Sequence, residues 1–273
     1  LAPGRQRYRL MTNDAGGIRD DLMVIRRDDH VGVVVNAACK NADVDYLKEM
    51  LPGGVVLRTL FDRALLALQG PAAATVMERL DPRTAGMVFM DAAEAELDGI
   101  PVLLTRSGYT GEDGFEISVE ARDAERLARR MLAEKEVAPI GLGARDSLRL
   151  EAGLCLYGHD IDTETSPVDA DLVRAIGKRR REEGGFPGAE RILRELRDGT
   201  RRVRVGLRIE GRQPVREGAE ITDNEGRPVG RVTSGGYAPT VGGPIAMGYV
   251  DRDQAAVGTT VYAVVRGKPL PAA

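Results

Sequence analysis

The segment RSGYTGEDGFEISVE, residues 106–120, decides the fold of the first half of this chain. Its apolar residues Phe115, Ile117 and Val119 alternate with polar ones, which is typical of a strand that buries one face. Three glycines at a spacing of three precede this strand, and residues 102–105 form another apolar run. We predict a hairpin with a glycine-rich connection. The spacing matches neither a dinucleotide fingerprint nor a phosphate loop, so a nucleotide site is excluded there.

Glu116 can be interpreted in two ways. It shares the polar face of the strand with Ser118 and Glu120, so the ordinary expectation is a carboxylate that faces solvent. The alternative is a carboxylate directed into a pocket beside an open glycine loop. The residues alone favour the first interpretation.

The rest of the first two hundred residues alternates between strand and helix patterns. Turn residues at 13–17 separate the first strands, Pro52 and Gly53 end a helix, and Gly70-Pro71 precedes another. The predicted strands include residues 18–25, 31–38, 65–69, 102–105 and 115–120, and the predicted helices include 42–51, 124–132, 142–152 and 189–196. This pattern indicates an α+β fold.

The pattern changes after Gly199. Val203, Val205, Leu207 and Ile209 alternate with polar residues, and turn signals recur at 223–226, 235–236 and 242–243 without a helical period. We therefore predict a small all-β domain over residues 200–273 and an α+β region over residues 1–199. The boundary follows a helix that ends on Gly199 in the manner of a left-handed cap.

Composition excludes several classes of function. The chain has 273 residues, with 39 Lys and Arg against 42 Asp and Glu, and its net charge of −3 offers no field for nucleic acid. The two Cys and two His show no metal-ligand spacing, so we expect no metal site. No apolar run approaches the roughly 18 to 20 residues that span a bilayer. The sequence opens at Leu1, and we expect it to be part of a longer protein.

Carboxylates are the best candidates for chemistry in a chain so poor in Cys and His. Asp20 and Asp21 lead into an apolar run, so one acid must lie on each face of a strand and at least one should be partly buried. Burial raises the pKa of such a group unless cations or hydrogen bonds compensate, which suits proton handling near neutral pH. An equally weighted alternative is a solvated strand end beside Arg19. On a later helix, Arg145 and Arg149 lie four residues apart on one face and could simply form ion pairs with Asp146 and Glu151.

Taken together, these motifs form an ordered series along the whole chain. They are GGIRDDL (16–22), VVNA (34–37), LQGP (68–71), RSGYTGEDGFE (106–116), GARDSLRLE (143–151), LYGHD (156–160), GKRRR (177–181), FPG (186–188) and VTSG (232–235). The series closely resembles the tetrahydrofolate-dependent aminomethyltransferase (T-protein) family of the glycine cleavage system.

The resemblance implies a multi-lobed cloverleaf of antiparallel sheets with flanking helices, a central tetrahydrofolate site and a C-terminal β-barrel. The implied reaction takes the aminomethyl group carried by the lipoyl arm of H-protein, releases ammonia and passes the carbon to tetrahydrofolate. The product is 5,10-methylenetetrahydrofolate. Neither nucleic acid nor a membrane takes part, and the location is the cytoplasm in a bacterium or the mitochondrion in a eukaryote.

The resemblance also assigns roles to residues. Asp21 corresponds to an acid beside the folate nitrogens, where it orients them and stabilises developing positive charge. Glu116 corresponds to the residue that accepts hydrogen bonds from the pterin ring, which overrules the solvent-facing interpretation. Further folate contacts are implied for Tyr8, Asn36, Tyr109, Arg145 and Tyr157.

Two rival functions share this fold. One is a non-catalytic folate-binding module of the iron–sulfur assembly type, whose Lys-Gly-Cys-Tyr signature has no counterpart at Arg106-Ser-Gly-Tyr109. The other is the folate domain of a sarcosine or dimethylglycine dehydrogenase, although no flavin fingerprint occurs here. Arg174 departs from the family, which often has an aromatic residue at this point, so the pocket wall or the lipoyl entrance is where a difference is expected.

Overall fold

The computed structural model describes the whole chain, Leu1–Ala273, as two compact units. The first unit consists of Leu1–Tyr8 and Leu22–Arg145, and the second of Arg9–Asp21 and Asp146–Ala273. Both units are discontinuous in sequence, because the chain passes between them in its first two strands. The predicted division into an α+β region over residues 1–199 and a C-terminal β-barrel domain over residues 200–273 stays a prediction.

The N-terminal strands form a three-stranded sheet in the order β1-β2-β3. They are β1 (Arg5–Thr12), β2 (Ile18–Arg26) and β3 (Val31–Val34). The predicted strands 18–25 and 31–38 are confirmed as β2 and β3, which pair as an antiparallel hairpin from Met23–Val34 to Arg26–Val31. The strand predicted to reach residue 38 ends at Val34, because the Cys39 amide bonds the Asn36 carbonyl at 3.0 Å and turns the chain into a helix.

A four-stranded antiparallel sheet carries the core of the first unit, in the order β4-β7-β6-β5. Its strands are β4 (Arg63–Gln69), β5 (Ala92–Leu97), β6 (Ile100–Thr105) and β7 (Gly114–Glu120). Phe115, Ile117 and Val119 are buried, which confirms the alternation in the sequence. They pack with the buried faces of two helices in one apolar cluster.

The helices mostly begin and end within two residues of the predicted bounds. They are α1 (Lys40–Met50), α2 (Ala73–Leu80), α3 (Ala124–Leu132), α4 (Leu142–Glu151), α5 (Lys178–Glu183) and α6 (Ala189–Asp198), with short 3-10 turns at Pro82–Gly86, Ala121–Asp123, Val173–Ala175 and Arg252–Gln254. Gly199 ends α6 with a φ of 85°, but its ψ is 172°. The predicted left-handed cap is therefore wrong, because the chain leaves α6 in an extended direction.

The C-terminal strands form a six-stranded sheet that closes on itself. The strands are β8 (Arg202–Arg208), β9 (Glu220–Thr222), β10 (Pro228–Ala238), β11 (Gly243–Asp251), β12 (Val261–Val265) and β13 (Lys268–Ala272), in the order β13-β12-β9-β10-β11-β8. A bridge between Ile209 and Ala272, and the Arg208 amide bonded to the Ala273 carbonyl at 2.9 Å, join the two edges. This closure leaves no free edge over the joined residues and confirms the predicted barrel.

The turn predicted at Gly235-Gly236 is wrong. Both glycines lie inside β10, paired with Ala246 and Ile245 of β11. A Cβ atom on Gly235 would lie 2.3 Å from the carbonyl oxygen of Val215. The glycine is thus required by close packing of backbone against backbone rather than by a turn.

Candidate functional site

The loop between β6 and β7 is built around the side chain of Gln69, the last residue of β4. Gln69 Nε2 donates to the Ser107 carbonyl at 3.0 Å, and Gln69 Oε1 accepts from Thr110 Oγ1 at 3.0 Å. The same amide nitrogen lies 3.2 Å from the Leu68 carbonyl. One side chain therefore supplies two of the hydrogen bonds that hold the loop against the sheet.

Gly108 of this loop and Gly114, the first residue of β7, are required by space. A Cβ atom on Gly108 would lie 1.7 Å from Gln69 Oε1, and one on Gly114 would lie 2.6 Å from the Leu68 carbonyl oxygen. Gly108 does not have a positive φ, so its requirement is steric and not conformational. Gly108 and Gly114 thus leave the room that the Gln69 side chain occupies, whereas Gly111 has a φ of 77°.

Gly108→Ala is expected to expel the Gln69 side chain and to lower the free energy of unfolding by about 1–3 kcal/mol, because buried loop groups lose their partner. Denaturant unfolding followed by circular dichroism measures the change. The matched control is Gly143→Ala, since Gly143 lies in α4 with nothing within 4 Å of the added carbon. Equal midpoints for the two variants would contradict the steric role of Gln69.

Arg106 and Asp113 form an ion pair that joins the two ends of the same loop. Arg106 donates to Asp113 through Nε at 3.0 Å and through Nη2 at 2.7 Å, a bidentate pair. The guanidinium also lies 5.4 Å from the ring centroid of Phe115. The hydrogen bond from Arg106 lowers the pKa of Asp113. Asp113 is therefore an ionised structural group whose two oxygens are already engaged.

Glu116 is half-buried on β7, directly opposite Thr105 of β6. Ser107 Oγ donates to Glu116 Oε2 at 2.6 Å, and this is the one protein hydrogen bond on the carboxylate. A side chain held in this way differs from the freely solvated carboxylate that strand periodicity alone suggests. Oε1 is left to a ligand or to water.

Tyr109 and Arg145, two of the predicted folate contacts, lie together in the first unit. The Arg145 guanidinium carbon is 4.5 Å from the centroid of the Tyr109 ring, a cation–π contact. Arg145 is exposed and forms no ion pair, whereas Arg149 pairs with Asp146 at 2.7 Å. The alternative in which the acids of this helix pair with its arginines is therefore confirmed for Asp146 with Arg149 and wrong for Arg145.

The remaining predicted residues of the first unit are Tyr8 and Asn36. Tyr8 lies in β1, and Asn36 lies two residues beyond β3. Both side chains are half-buried. Their predicted contact with folate stays a prediction.

Asp21 and Tyr157 belong to the second unit. Asp21 is a residue of β2, and Tyr157 contacts that strand. Asp21 is half-buried within that strand, while Asp20 is fully buried, which confirms that at least one acid of the pair is taken out of water. The Tyr157 hydroxyl donates to the Ile18 carbonyl at 3.3 Å. The expected role of Asp21 in catalysis stays a prediction.

Cys155 is not available as a nucleophile. Burial raises the pKa of its thiol to about 11, and the negative charges of Asp160 and Asp21 add to this effect. A thiol with this pKa stays protonated at neutral pH and is inert. His159 binds Glu217 through Nδ1 at 2.7 Å on the surface.

A buried ion pair between Arg149 and Asp160 is the feature that the sequence did not reveal. Arg149 Nη1 donates to Asp160 Oδ2 at 2.7 Å, and both side chains are almost completely buried. Ser234 Oγ, on β10, donates to the same oxygen at 2.9 Å. The pair links α4, the 156–160 turn and the barrel. No group of three or more Cys, His, Asp or Glu side chains is arranged to hold a metal ion.

Membrane insertion finds no support among the helices, since none is both long enough and apolar enough to cross a bilayer.

Comparison with known proteins assigns the chain to a family. Residues 1–180 match the GCVT N-terminal domain, and residues 202–273 match the glycine cleavage T-protein C-terminal barrel domain. The mitochondrial aminomethyltransferase of Solanum tuberosum is 47% identical, over 98% of this chain and 68% of that protein. A probable mitochondrial aminomethyltransferase of Schizosaccharomyces pombe is 46% identical, over 100% of this chain and 71% of that protein.

The solved structures agree. The crystal structure of the glycine cleavage system aminomethyltransferase T from Bartonella henselae aligns with a TM-score of 0.94 and 44% identity. The alignment covers 100% of this chain and 75% of that one. With two family domains matched in order and near-complete coverage by relatives above 40% identity, this chain belongs to the glycine cleavage T-protein family.

Proposed function

We propose that this chain is an aminomethyltransferase, which passes the methylene carbon of the aminomethyl-lipoyl group on H-protein to tetrahydrofolate and releases ammonia. The observation that carries this proposal is the identity of about 46% to aminomethyltransferases over both family domains. Of the two rival functions named above, the iron–sulfur assembly type carries a Cys-containing hairpin signature. The hairpin of this chain instead reads Arg106-Ser107-Gly108-Tyr109.

The side chains suit a reaction that needs no protein nucleophile. The folate nitrogen N5 is itself nucleophilic, so the enzyme has to position the reactants and stabilise positive charge as ammonia leaves. The protonated thiol of Cys155 is compatible with this chemistry, because it does not compete with the folate nitrogen as a nucleophile. Asp21 is the carboxylate we propose to stabilise the cationic carbon and to orient the folate nitrogens.

Glu116 is the residue we propose for recognition of the pterin ring. With Oε2 held by Ser107, Oε1 can accept a hydrogen bond from a ring N–H or an amino group. A charge-assisted hydrogen bond of this kind contributes about 1.5–3 kcal/mol. The structure of the hairpin supports this role, since it leaves one oxygen of a fixed carboxylate without a protein partner.

Tyr109 and Arg145 form the other recognition element in this proposal. Their contact at 4.5 Å joins an aromatic face to a cation. The ring can stack on a flat heterocycle, and the cation can attract the carboxylates of the folate tail. We propose Tyr8, Asn36 and Tyr157 as further folate contacts.

The partner we propose is lipoylated H-protein, which supplies the aminomethyl group. Relatives in plants and yeast are named as mitochondrial proteins, whereas the solved relative comes from a bacterium. We accordingly propose the mitochondrion for a eukaryotic source and the cytoplasm for a bacterial one.

Release of ammonia from aminomethylated H-protein tests this function. We expect the rate to rise strongly when tetrahydrofolate is added and to stay low with 5-methyltetrahydrofolate, whose N5 is already substituted. A scaffold that only binds folate would release ammonia at the same low rate with either compound, and this result would overturn the proposal.

A further inference from the structure

We propose that Thr105 and Ser107 form a hydroxyl relay that positions Glu116 for folate, so that both act as positioning residues for the substrate site. The inference rests on the proposed function, in which Glu116 accepts hydrogen bonds from the pterin ring. It adds two residues that touch neither the reacting atoms nor, in this proposal, the folate itself.

The relay is a short, buried chain of oxygen atoms. Thr105 Oγ1 lies 3.0 Å from Ser107 Oγ, and Ser107 Oγ lies 2.6 Å from Glu116 Oε2. Thr105 and Ser107 are each only 5% exposed, so water does not replace either contact at low cost. The relay therefore operates where a hydrogen bond to a charged group is strong.

The sheet and the loop fix the three residues relative to one another. Thr105 pairs with Glu116 across β6 and β7, which sets the position of the carboxylate along the sheet. Ser107 is the second residue past Thr105, and its carbonyl accepts a hydrogen bond from Gln69 Nε2 at 3.0 Å. The hydroxyl of Ser107 is thus held at the carboxylate by its own backbone.

Proton counting gives the relay a direction. An ionised carboxylate only accepts, so the single proton of the Ser107 hydroxyl must be donated to Glu116. Ser107 Oγ can then accept the proton of Thr105, whose other acceptor, the Glu116 carbonyl, is farther away at 3.4 Å. Thr105 strengthens the donor that Ser107 presents, because hydrogen bonds in a chain polarise one another.

The consequence for binding is preorganisation. A glutamate has several rotatable bonds, and ordering such a side chain on binding costs free energy. The relay orders it in advance and satisfies Oε2, so that Oε1 keeps its full capacity to accept from a ligand. Loss of either hydroxyl should weaken folate binding and leave turnover at saturating folate nearly unchanged.

The dissociation constant of tetrahydrofolate, measured under anaerobic conditions, tests the relay. Ser107→Ala should raise the constant about tenfold, as expected for one charge-assisted hydrogen bond, while kcat changes less than about twofold. Thr105→Val, which removes the hydroxyl and keeps the shape, should raise it by a smaller factor. Thr105→Ser, which keeps the hydroxyl, should restore the parent value.

A double-mutant cycle separates positioning from a general effect on the hairpin. In a Glu116→Ala background, Ser107→Ala should change the dissociation constant less than about twofold, because there is no carboxylate to position. A general loosening of the loop would weaken binding equally in both backgrounds. That equality would overturn the relay, as would a Ser107→Ala protein with parental affinity.

The result for Glu116→Ala alone distinguishes failure of the relay from failure of the proposed function. Parental affinity in that variant would remove Glu116, and the relay with it, from the folate site. Folate-dependent ammonia release could still be present, and it would leave the transferase reaction standing. If circular dichroism shows that Ser107→Ala does not fold, the comparison of Thr105→Val with Thr105→Ser decides whether the relay contributes to folate binding.

Discussion

Asp160→Ala is expected to lower the free energy of unfolding by about 3–5 kcal/mol, because it leaves the Arg149 guanidinium buried without its main counter-charge. The side chain of Asp160 has no exposed area, and that of Arg149 is 3% exposed. Asp160 also accepts from Thr233 Oγ1 at 2.5 Å and from the Leu156 amide at 2.9 Å. Removing the carboxylate thus breaks contacts to three separate segments of the second unit.

Denaturant unfolding measures this loss of stability. The control is Asp146, a second carboxylate that binds the same arginine. Asp146 also binds Arg149, at 2.7 Å, but its side chain is 57% exposed. Asp146→Asn should therefore change stability little, since water screens an exposed ion pair. Asp160→Asn keeps the shape of the carboxylate and should fall between the two. Equal midpoints for Asp160→Ala and Asp146→Asn would show that burial of this pair contributes nothing.

The hairpin and its flanking helices could be predicted because their signals are local. Phe115, Ile117 and Val119 carry the period of two in successive residues, and α3 shows its apolar stripe within nine residues. The all-β character of the C-terminal domain was predictable for the same reason. Its closure into a barrel was expected only from the family resemblance, because the contact between Ile209 and Ala272 depends on the sum of all strand twists and leaves no local signal.

Strand β5 was missed although one signal for it was present. Its residues, Ala-Ala-Glu-Ala-Glu-Leu, are good helix formers, so propensity favours the wrong structure. The signal for a strand is the Asp98-Gly99 turn that follows, and this turn overrides the helix propensity. Both residues have positive φ, 53° and 73°, as a tight hairpin turn requires, and Leu97 pairs with Ile100 across it.

The side chains of the candidate site were less predictable than the strands that hold them. Resemblance to a family singled out Glu116, but the role of Ser107 depends on the register that places Thr105 opposite Glu116. A shift of one residue would turn the carboxylate to the other face. The pair of Arg149 with Asp160 likewise requires β10 to supply Ser234 from 74 residues away. Such distant contacts leave no period in the sequence.

Asp21→Asn is expected to reduce turnover by about 10²–10³-fold, the usual effect of removing one preorganised electrostatic group from an active site. The amide keeps the shape of the side chain and one acceptor oxygen, but it loses the charge that we propose to stabilise the cationic carbon. Folate binding should change little, because other residues hold the pterin ring and the tail. Ammonia release from aminomethylated H-protein at saturating tetrahydrofolate gives kcat, and a direct titration gives the dissociation constant.

Asp28→Asn is the matched control for this change of one charge. Asp28 follows the same strand but is exposed, so its neutralisation should alter neither turnover nor affinity. Parental turnover in Asp21→Asn would remove Asp21 from the mechanism. A loss of affinity equal to the loss of turnover would instead place its contribution in the ground state, because a group that acts only on developing charge lowers kcat without weakening the bound substrate.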